Sequence, residues 1–119
     1  MCLSIISERV ARPTSEVIIA WKVFRKDFRQ KMLRSGLRLN SQRYYYNRWY
    51  RSPYPREHDE CYVPYFHAFK TRESARFYSE EYVTDGMVRK VKLRYITVKG
   101  EQKGKAFVAK EMLILRSKG

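Results

Sequence analysis

The clearest alternation of apolar and polar positions lies in VRKVKLRYITV, at residues 88–98. Three apolar residues alternate there with three cations: Val91, Leu93 and Tyr95 with Lys90, Lys92 and Arg94. A period of two is typical of a half-buried strand, because successive side chains point to opposite faces of a sheet. The pattern therefore predicts a strand with one buried face and one strongly basic face.

Two further segments have the composition of strands. EVIIAWKVFRKDF, at residues 16–28, is rich in β-branched and aromatic residues, and its first half is apolar on both faces, as in a central strand. AFVAKEMLIL, at residues 106–115, predicts a second strand. Lys110 and Glu111 interrupt its apolar run, so we expect a β-bulge or an edge position there.

One segment has the period of a helix. Residues 72–83 carry apolar side chains at i, i+3 and i+7, namely Ala75, Tyr78 and Tyr82. Thr71 is a good N-cap, and Glu73 in the first turn complements the helix dipole. The spacing predicts an amphipathic helix over residues 72–83, ended by Asp85 and Gly86.

These elements predict an α+β fold, a mainly antiparallel sheet with one main helix, in a single domain of 119 residues. Residues 26–61 show neither period, and we interpret them as a long irregular insertion with one short extended piece within residues 32–39. A segment of this length without secondary structure is uncommon inside a small domain and is often functional.

Most of the chain's net positive charge lies in or next to the same insertion. The chain carries 26 basic and 12 acidic residues, a net charge of +14. Residues 22–56 contain eleven of the basic residues, eight of them arginines, and one acid, Asp27, so this segment carries +10. Such a balance favours polyanionic partners, and arginine binds phosphate or carboxylate and stacks on aromatic rings.

The insertion contains RYYYNRWYRSPYPR, residues 43–56, in which six aromatic residues and four arginines make up ten of fourteen positions. Three interpretations stay open. The rings could pack onto the protein's own sheet with arginines over them. They could form a protein interface, where Trp, Tyr and Arg carry most of the binding energy. They could bind single-stranded nucleic acid, by base stacking between cations.

The candidate contact residues for a partner or nucleic acid come from the insertion and from the basic strand. They are Arg25, Arg29, Arg34, Arg38, Arg43, Tyr45, Arg48, Trp49, Tyr50, Arg51, Lys90, Lys92 and Arg94. The other interpretation of the three strand residues is an ordinary solvent-facing surface.

Catalytic and metal chemistry is not indicated. The run from His58 to Cys61 lacks the paired spacing of zinc ligands, and no nucleotide-binding or nucleophile motif is present. We expect no metal, no cofactor and no enzymatic activity. His67, between Phe66 and Phe69, is interpreted as a hydrogen-bonded core residue, with a role in a small-molecule pocket as the alternative.

Compartment and membrane association follow from cysteine content and hydropathy. Cys2 and Cys61 are the only cysteines, too few for a disulfide framework, which is typical of a cytoplasmic protein with free thiols. The apolar run at residues 17–21 is too short to cross a bilayer, and residues 1–13 lack the charged start of a signal peptide. We expect a cytoplasmic protein that does not bind membranes.

The segment YFHAFKTRESA, residues 65–75, resembles a motif of small uncharacterised phage and mobile-element proteins, G-(F/Y)-H-A-F-x-T-x-E-x-A. Seven residues match: Phe66, His67, Ala68, Phe69, Thr71, Glu73 and Ala75. The basic KVKLR at residues 90–94 and VAKEM at residues 108–112 match the strands that follow, whereas Tyr65 replaces the glycine. The resemblance spans residues 65–115, implies no particular activity and leaves the basic insertion outside the shared part.

A phage context implies a non-catalytic protein that neutralises host machinery. The leading hypothesis is a phage-type binding protein that engages a host protein or ribonucleoprotein handling nucleic acid, for example as an inhibitor of a CRISPR-like defence complex. The first alternative is an RNA- or DNA-binding protein with little sequence preference. The second is a small-molecule binder or enzyme with a pocket near His67.

Overall fold

The structure, a computed structural model, describes residues 3–26, 33–35, 43–52, 62–83 and 86–116. Predictions for Arg29, Arg38, Asp85 and the run from His58 to Cys61 fall outside these residues. The elements in chain order are β1 (Ile5–Arg9), β2 (Ile18–Lys26), β3 (Leu33–Ser35), β4 (Arg43–Tyr44), β5 (Trp49–Arg51), β6 (Phe66–Phe69), α1 (Arg72–Tyr82), β7 (Gly86–Glu101) and β8 (Lys105–Ile114).

The sheet is organised around the long hairpin of β7 and β8. The first half of β7 pairs with β2, and its last residues pair with β1. On its other side β8 pairs with β6 and then with β5. The sheet closes on itself because β2 also meets β6, with Trp21 opposite Phe69. All these strand pairs are antiparallel, which confirms the predicted fold class: a mainly antiparallel sheet and one helix among the described residues.

Helix α1 confirms the prediction from the Thr71 cap. The Thr71 hydroxyl accepts a hydrogen bond from the Ser74 amide at 3.2 Å, and Glu73 lies in the first turn. Ala75 and Tyr78 face the sheet, but Tyr82 is 54% exposed. The helix ends at Tyr82 with Val83 as its C-cap, one residue short of the predicted bound, and Gly86 starts β7. No helix in the described ranges is long and apolar enough to cross a membrane.

Strand β7 follows the predicted alternation only as far as its midpoint. Val91 and Leu93 are fully buried, but Tyr95 is only half-buried, contrary to prediction. Tyr95 has a φ of 59°, in the left-handed region that rarely suits a tyrosine. The buried positions change phase at Tyr95, from Val91 and Leu93 to Ile96 and Val98. The pairing with β8 then shifts register between Ile96 and Val98.

Strand β8 runs unbroken through Lys110 and Glu111. Glu111 is directly opposite Arg94 on one side and Arg51 on the other. A residue with strands on both sides is central, so the predicted edge position is wrong. The predicted bulge is wrong as well, because the register shift lies on β7 between Ile96 and Val98.

Part of the predicted insertion is regular structure. Strands β3, β4 and β5 lie within residues 26–61, and β3 is the short extended piece predicted within residues 32–39. Tyr44 is 1% exposed and packs edge-on against Phe24 and Phe66 in the main core. The expectation of irregular backbone is therefore wrong for these three strands. Strand β3 pairs with its chain neighbours β2 and β4, whereas β5 pairs with the distant β8.

Candidate functional site: a basic face of the sheet

The register of β2, β7, β8 and β5 gathers cations and aromatic rings on one face. Residues directly opposite each other in antiparallel strands point to the same side of a sheet. Three rows of opposite residues follow one another along β7: Trp21 and Lys90; Ile19, Lys92, Leu113 and Trp49; and Arg94, Glu111 and Arg51. We call these nine residues the basic face.

The alternation within β7 explains why this face is basic. Val91 and Leu93 point into the core, so their neighbours along the strand point outwards. Helix α1 covers the next part of the same side, where its buried residues pack with Val23 and with Val88. The basic face therefore borders the area that the helix covers. Arg72 of the first helical turn lies beside the face, with its Cζ atom 5.8 Å from the centre of the Trp21 ring.

At the Trp49 end of the face, an arginine is held between a ring and a carboxylate. The Cζ atom of Arg94 lies 3.9 Å from the centre of the Trp49 ring. Arg94 Nε donates a hydrogen bond to Glu111 Oε1 at 2.5 Å, and Arg51 Nη1 lies 3.6 Å from Glu111 Oε2. Ring and carboxylate together fix the guanidinium of Arg94.

Positive charge on the face exceeds negative charge. Four of its residues are cations, and Glu111 is its single acid. Within the described part of the chain, the Lys90 and Lys92 side chains make no hydrogen bond or ion pair, and Arg94 uses only its Nε. The Lys90 ammonium lies 5.8 Å from the Trp21 ring centre. Two lysine heads and the terminal nitrogens of Arg94 therefore remain as donors for an anion.

Five of the thirteen predicted contact residues meet on this face: Trp49, Arg51, Lys90, Lys92 and Arg94. Tyr50 points the other way, with its ring 4.9 Å from that of Tyr44 and its hydroxyl accepting from the Tyr45 amide. Tyr45 is 42% exposed, with Arg48 5.5 Å from its ring, in the turn before β5. Tyr44 and Tyr50 therefore pack onto the protein's own sheet, as the first of the three interpretations expects, whereas Trp49 lies on the outer surface.

The remaining predicted arginines lie elsewhere. The register places Arg34 directly opposite both Arg25 and Arg43, across β2, β3 and β4. This row of three arginine Cα atoms is separate from the basic face. Arg29 and Arg38 lie outside the described residues.

Sequence reasoning missed three residues that matter at this site: Trp21, Ile19 and Glu111. Strand β2 looked apolar on both faces, so Trp21 and Ile19 were expected to be buried. In the structure Ile19 is 42% exposed, and Trp21 is half-buried at the border with α1. The only polar residue that interrupts the apolar run of β2 is Lys22. Because Lys22 is itself buried, it does not show that Ile19 and Trp21 lie on the outer side of the strand.

His67 lies in a buried polar cluster formed by Lys22, Tyr62, Tyr65 and His67. It is 6% exposed; its Nε2 lies 2.9 Å from the Tyr62 hydroxyl and its Nδ1 lies 3.0 Å from the Tyr65 carbonyl oxygen. A carbonyl oxygen only accepts, so Nδ1 carries the proton. Lys22 Nζ donates to the His67 carbonyl oxygen at 2.6 Å. The prediction of a hydrogen-bonded core histidine is confirmed.

The structure offers a small cleft away from this histidine. It has a volume of about 130 Å³ and is lined by Glu8, Val10, Arg12, Thr14, Glu16, Ile18, Ile96 and Lys99. Within the described ranges, no three His, Cys, Asp or Glu side chains are grouped so that they could hold a metal ion. The cations and half-buried rings of the basic face are therefore the strongest candidate for function in the described structure.

Comparison with known proteins found no matching family model, no matching curated protein and no matching solved structure. The resemblance of residues 65–115 to phage and mobile-element proteins therefore stays a prediction.

Proposed function

We propose that this chain is a non-catalytic binding protein of phage type that acts in the host cytoplasm. Its basic face engages a host protein or ribonucleoprotein that handles nucleic acid, and inhibition of a CRISPR-like defence complex is the form of action that we propose. The partner presents an anionic surface, because a chain with a net charge of +14 attracts polyanions and repels other basic proteins.

The observation that carries this proposal is the three-row arrangement of the basic face. The Lys90 and Lys92 side chains have no polar partner among the described residues. Lys90 is directly opposite Trp21, and Lys92 shares a row with Trp49, with Leu113 between them. Both tryptophan rings are half-buried, so each presents part of its surface to solvent beside these cations. Tryptophan and arginine are typical of the residues that dominate binding energy in an interface.

The position of His67 argues against the pocket hypothesis. A histidine that binds a small molecule needs a side chain open to the ligand, whereas this ring is 6% exposed with both nitrogens near protein atoms. The basic face supports binding to a macromolecule better, since it is open and spans four strands.

Two charge-matched double variants test the proposal by pull-down from a bacterial lysate. Lys90→Ala with Lys92→Ala removes two cations from the basic face. Lys70→Ala with Lys105→Ala removes two exposed cations from the far end of β8, where the Lys70 amide bonds to the Lys105 carbonyl oxygen. Both variants have the same net charge, so a general loss of positive charge affects them equally.

We expect the basic-face variant to lose its bound partners at physiological salt and the distal variant to keep them. Thermal unfolding of both variants serves as the folding control, because surface substitutions of this kind change stability by about 0.5 kcal/mol or less. Equal partner recovery by the two folded variants would remove the basic face from the interface and contradict the proposal.

A further inference from the structure

We propose that the ligand of the basic face is single-stranded nucleic acid, with bases stacked at Trp21 and at Trp49 with Arg94, and with phosphates along Lys90, Lys92 and Arg51. This inference rests on the proposed function and names its partner at the same site. The nucleic acid is free or belongs to the ribonucleoprotein that the protein engages, and RNA and DNA share the chemistry that the face recognises.

The two tryptophans are placed as separate stacking positions. Trp21 is on β2 and Trp49 is on β5, with β7 and β8 between them. Three strand spacings separate them by about 14 Å along the sheet, enough to hold different bases of one strand. Lys92 and Leu113 lie between the rings in the row that contains Trp49, so a cation is available to the backbone that links two stacked bases.

Arg94 extends the platform at Trp49. Its guanidinium lies over the indole, and Glu111 fixes it through Nε. The terminal nitrogens of Arg94 have no partner among the described residues, and its side chain is 32% exposed. A fixed guanidinium offers two functions at once: a flat surface on which a base stacks, and a fork of donors for a phosphate.

The composition of the face favours an unpaired strand over a duplex. Stacking requires the flat side of a base, which a duplex hides between neighbouring base pairs. Each base stacked on an aromatic ring contributes about 1–3 kcal/mol, and this contribution depends little on sequence. A duplex would use only the cations and would leave Trp21 and Trp49 without a role.

The same composition favours nucleic acid over a protein partner. The cores of protein interfaces are depleted in lysine, because desolvating an ammonium is costly. Here Lys92 is in the middle of the face, directly between Ile19 and Leu113. A phosphate accepts hydrogen bonds from an ammonium that stays partly hydrated, so this central lysine suits a phosphate backbone.

The chain is well suited to a direct test, because Trp21 and Trp49 are its only tryptophans. Intrinsic tryptophan fluorescence therefore reports on the basic face alone. The probes are oligouridylate and oligothymidylate of about 12 nucleotides, close to the size of known single-strand sites. A duplex of equal length is the third probe, and Trp21→Phe and Trp49→Phe separate the two signals.

We expect both single strands to quench both tryptophans, and the duplex to quench neither. Four cations on the face predict a slope of about −3 for log affinity against log salt. Removing Lys90 and Lys92 should weaken binding roughly 10- to 30-fold at 0.1 M salt, and removing Lys70 and Lys105 should change it less than about twofold. Trp49→Leu should weaken binding about tenfold relative to Trp49→Phe, which keeps a ring.

The outcomes separate this inference from the proposed function. If neither oligonucleotide quenches either tryptophan, while partner capture still requires Lys90 and Lys92, the ligand is a protein surface and the inference is wrong. If the duplex binds as tightly as the single strands without quenching, only phosphates are recognised and stacking is wrong. If partner capture does not depend on the basic face either, the proposed function fails as well. We expect similar affinities for the uridylate and the thymidylate, because the bases and phosphates that the face recognises are common to RNA and DNA.

Discussion

The buried polar cluster and the basic face are two polar regions of the same sheet with opposite construction. In the cluster, Lys22 donates to the His67 backbone and both ring nitrogens of His67 lie within 3.0 Å of protein oxygens. On the face, the Lys92 side chain makes no hydrogen bond to any described residue, and the Arg94 side chain uses one of its three nitrogens. One region is satisfied internally, and the other has side-chain donors without a partner among the described residues.

Burial accounts for the difference. A polar group that is buried without a partner costs several kcal/mol, so buried donors and acceptors are paired. A cation in contact with water has no such requirement, and water satisfies it until a ligand arrives. Under the proposed function, the cluster stabilises the fold and the basic face binds the partner, and substitutions should separate the two.

The largest effect should come from the cluster. His67→Ala removes a ring that is 6% exposed and leaves the Tyr62 hydroxyl and the Tyr65 carbonyl oxygen without it. We expect the free energy of unfolding to fall by about 2–4 kcal/mol. Chemical denaturation measures this loss, and partner recovery per folded molecule should be unchanged.

The Tyr62 hydroxyl also accepts a hydrogen bond from the Leu3 amide at 2.8 Å, so it keeps one partner in the His67→Ala variant. If His67→Ala left the stability intact and abolished partner binding, His67 would be part of a ligand site. The separation between a structural cluster and a binding face would then be wrong.

A smaller effect on stability is expected at Glu111, which is buried like the cluster but belongs to the basic face. Glu111 is 9% exposed, yet it is the acid of the basic face. Glu111→Gln keeps an acceptor for Arg94 Nε and removes the charge. Stability should fall by no more than about 1 kcal/mol, because the Arg94 side chain is 32% exposed and solvent screens the pair.

Binding should respond to the same substitution in the opposite direction. Loss of a negative charge from the face should raise the affinity for a polyanion by roughly two- to threefold. Titration at two salt concentrations measures this change, with wild-type protein alongside. A tenfold loss of affinity in a stable Glu111→Gln protein would show that the carboxylate charge itself is needed to position Arg94.

Local patterns predicted the regular elements because the signals lie within a few residues. The Thr71 cap and the spacing of Ala75 and Tyr78 define α1 without any knowledge of its neighbours. The alternation of Val91 and Leu93 likewise defines the first half of β7. Pattern reasoning failed at Tyr95, because a single residue with positive φ changes which positions point inwards.

The basic face was only half predicted because pairing between distant segments creates it. Trp21 joins Lys90 through the β2–β7 register, and Trp49 joins Lys92 through β8. No window of sequence contains these contacts. Strand β5 is too short for its alternation to show that Trp49 and Arg51 point outwards while Tyr50 packs on Tyr44.

The most direct measurement of the binding face uses 5-fluorotryptophan. The labelled protein gives two ¹⁹F resonances, assigned with Trp21→Phe and Trp49→Phe, and the method applies equally to a protein or a nucleic acid partner. On titration with the partner fraction captured from lysate, we expect both resonances to shift or broaden in proportion to the bound fraction. Binding that leaves both resonances unchanged would place the contact elsewhere on the molecule and contradict the assignment of function to the basic face.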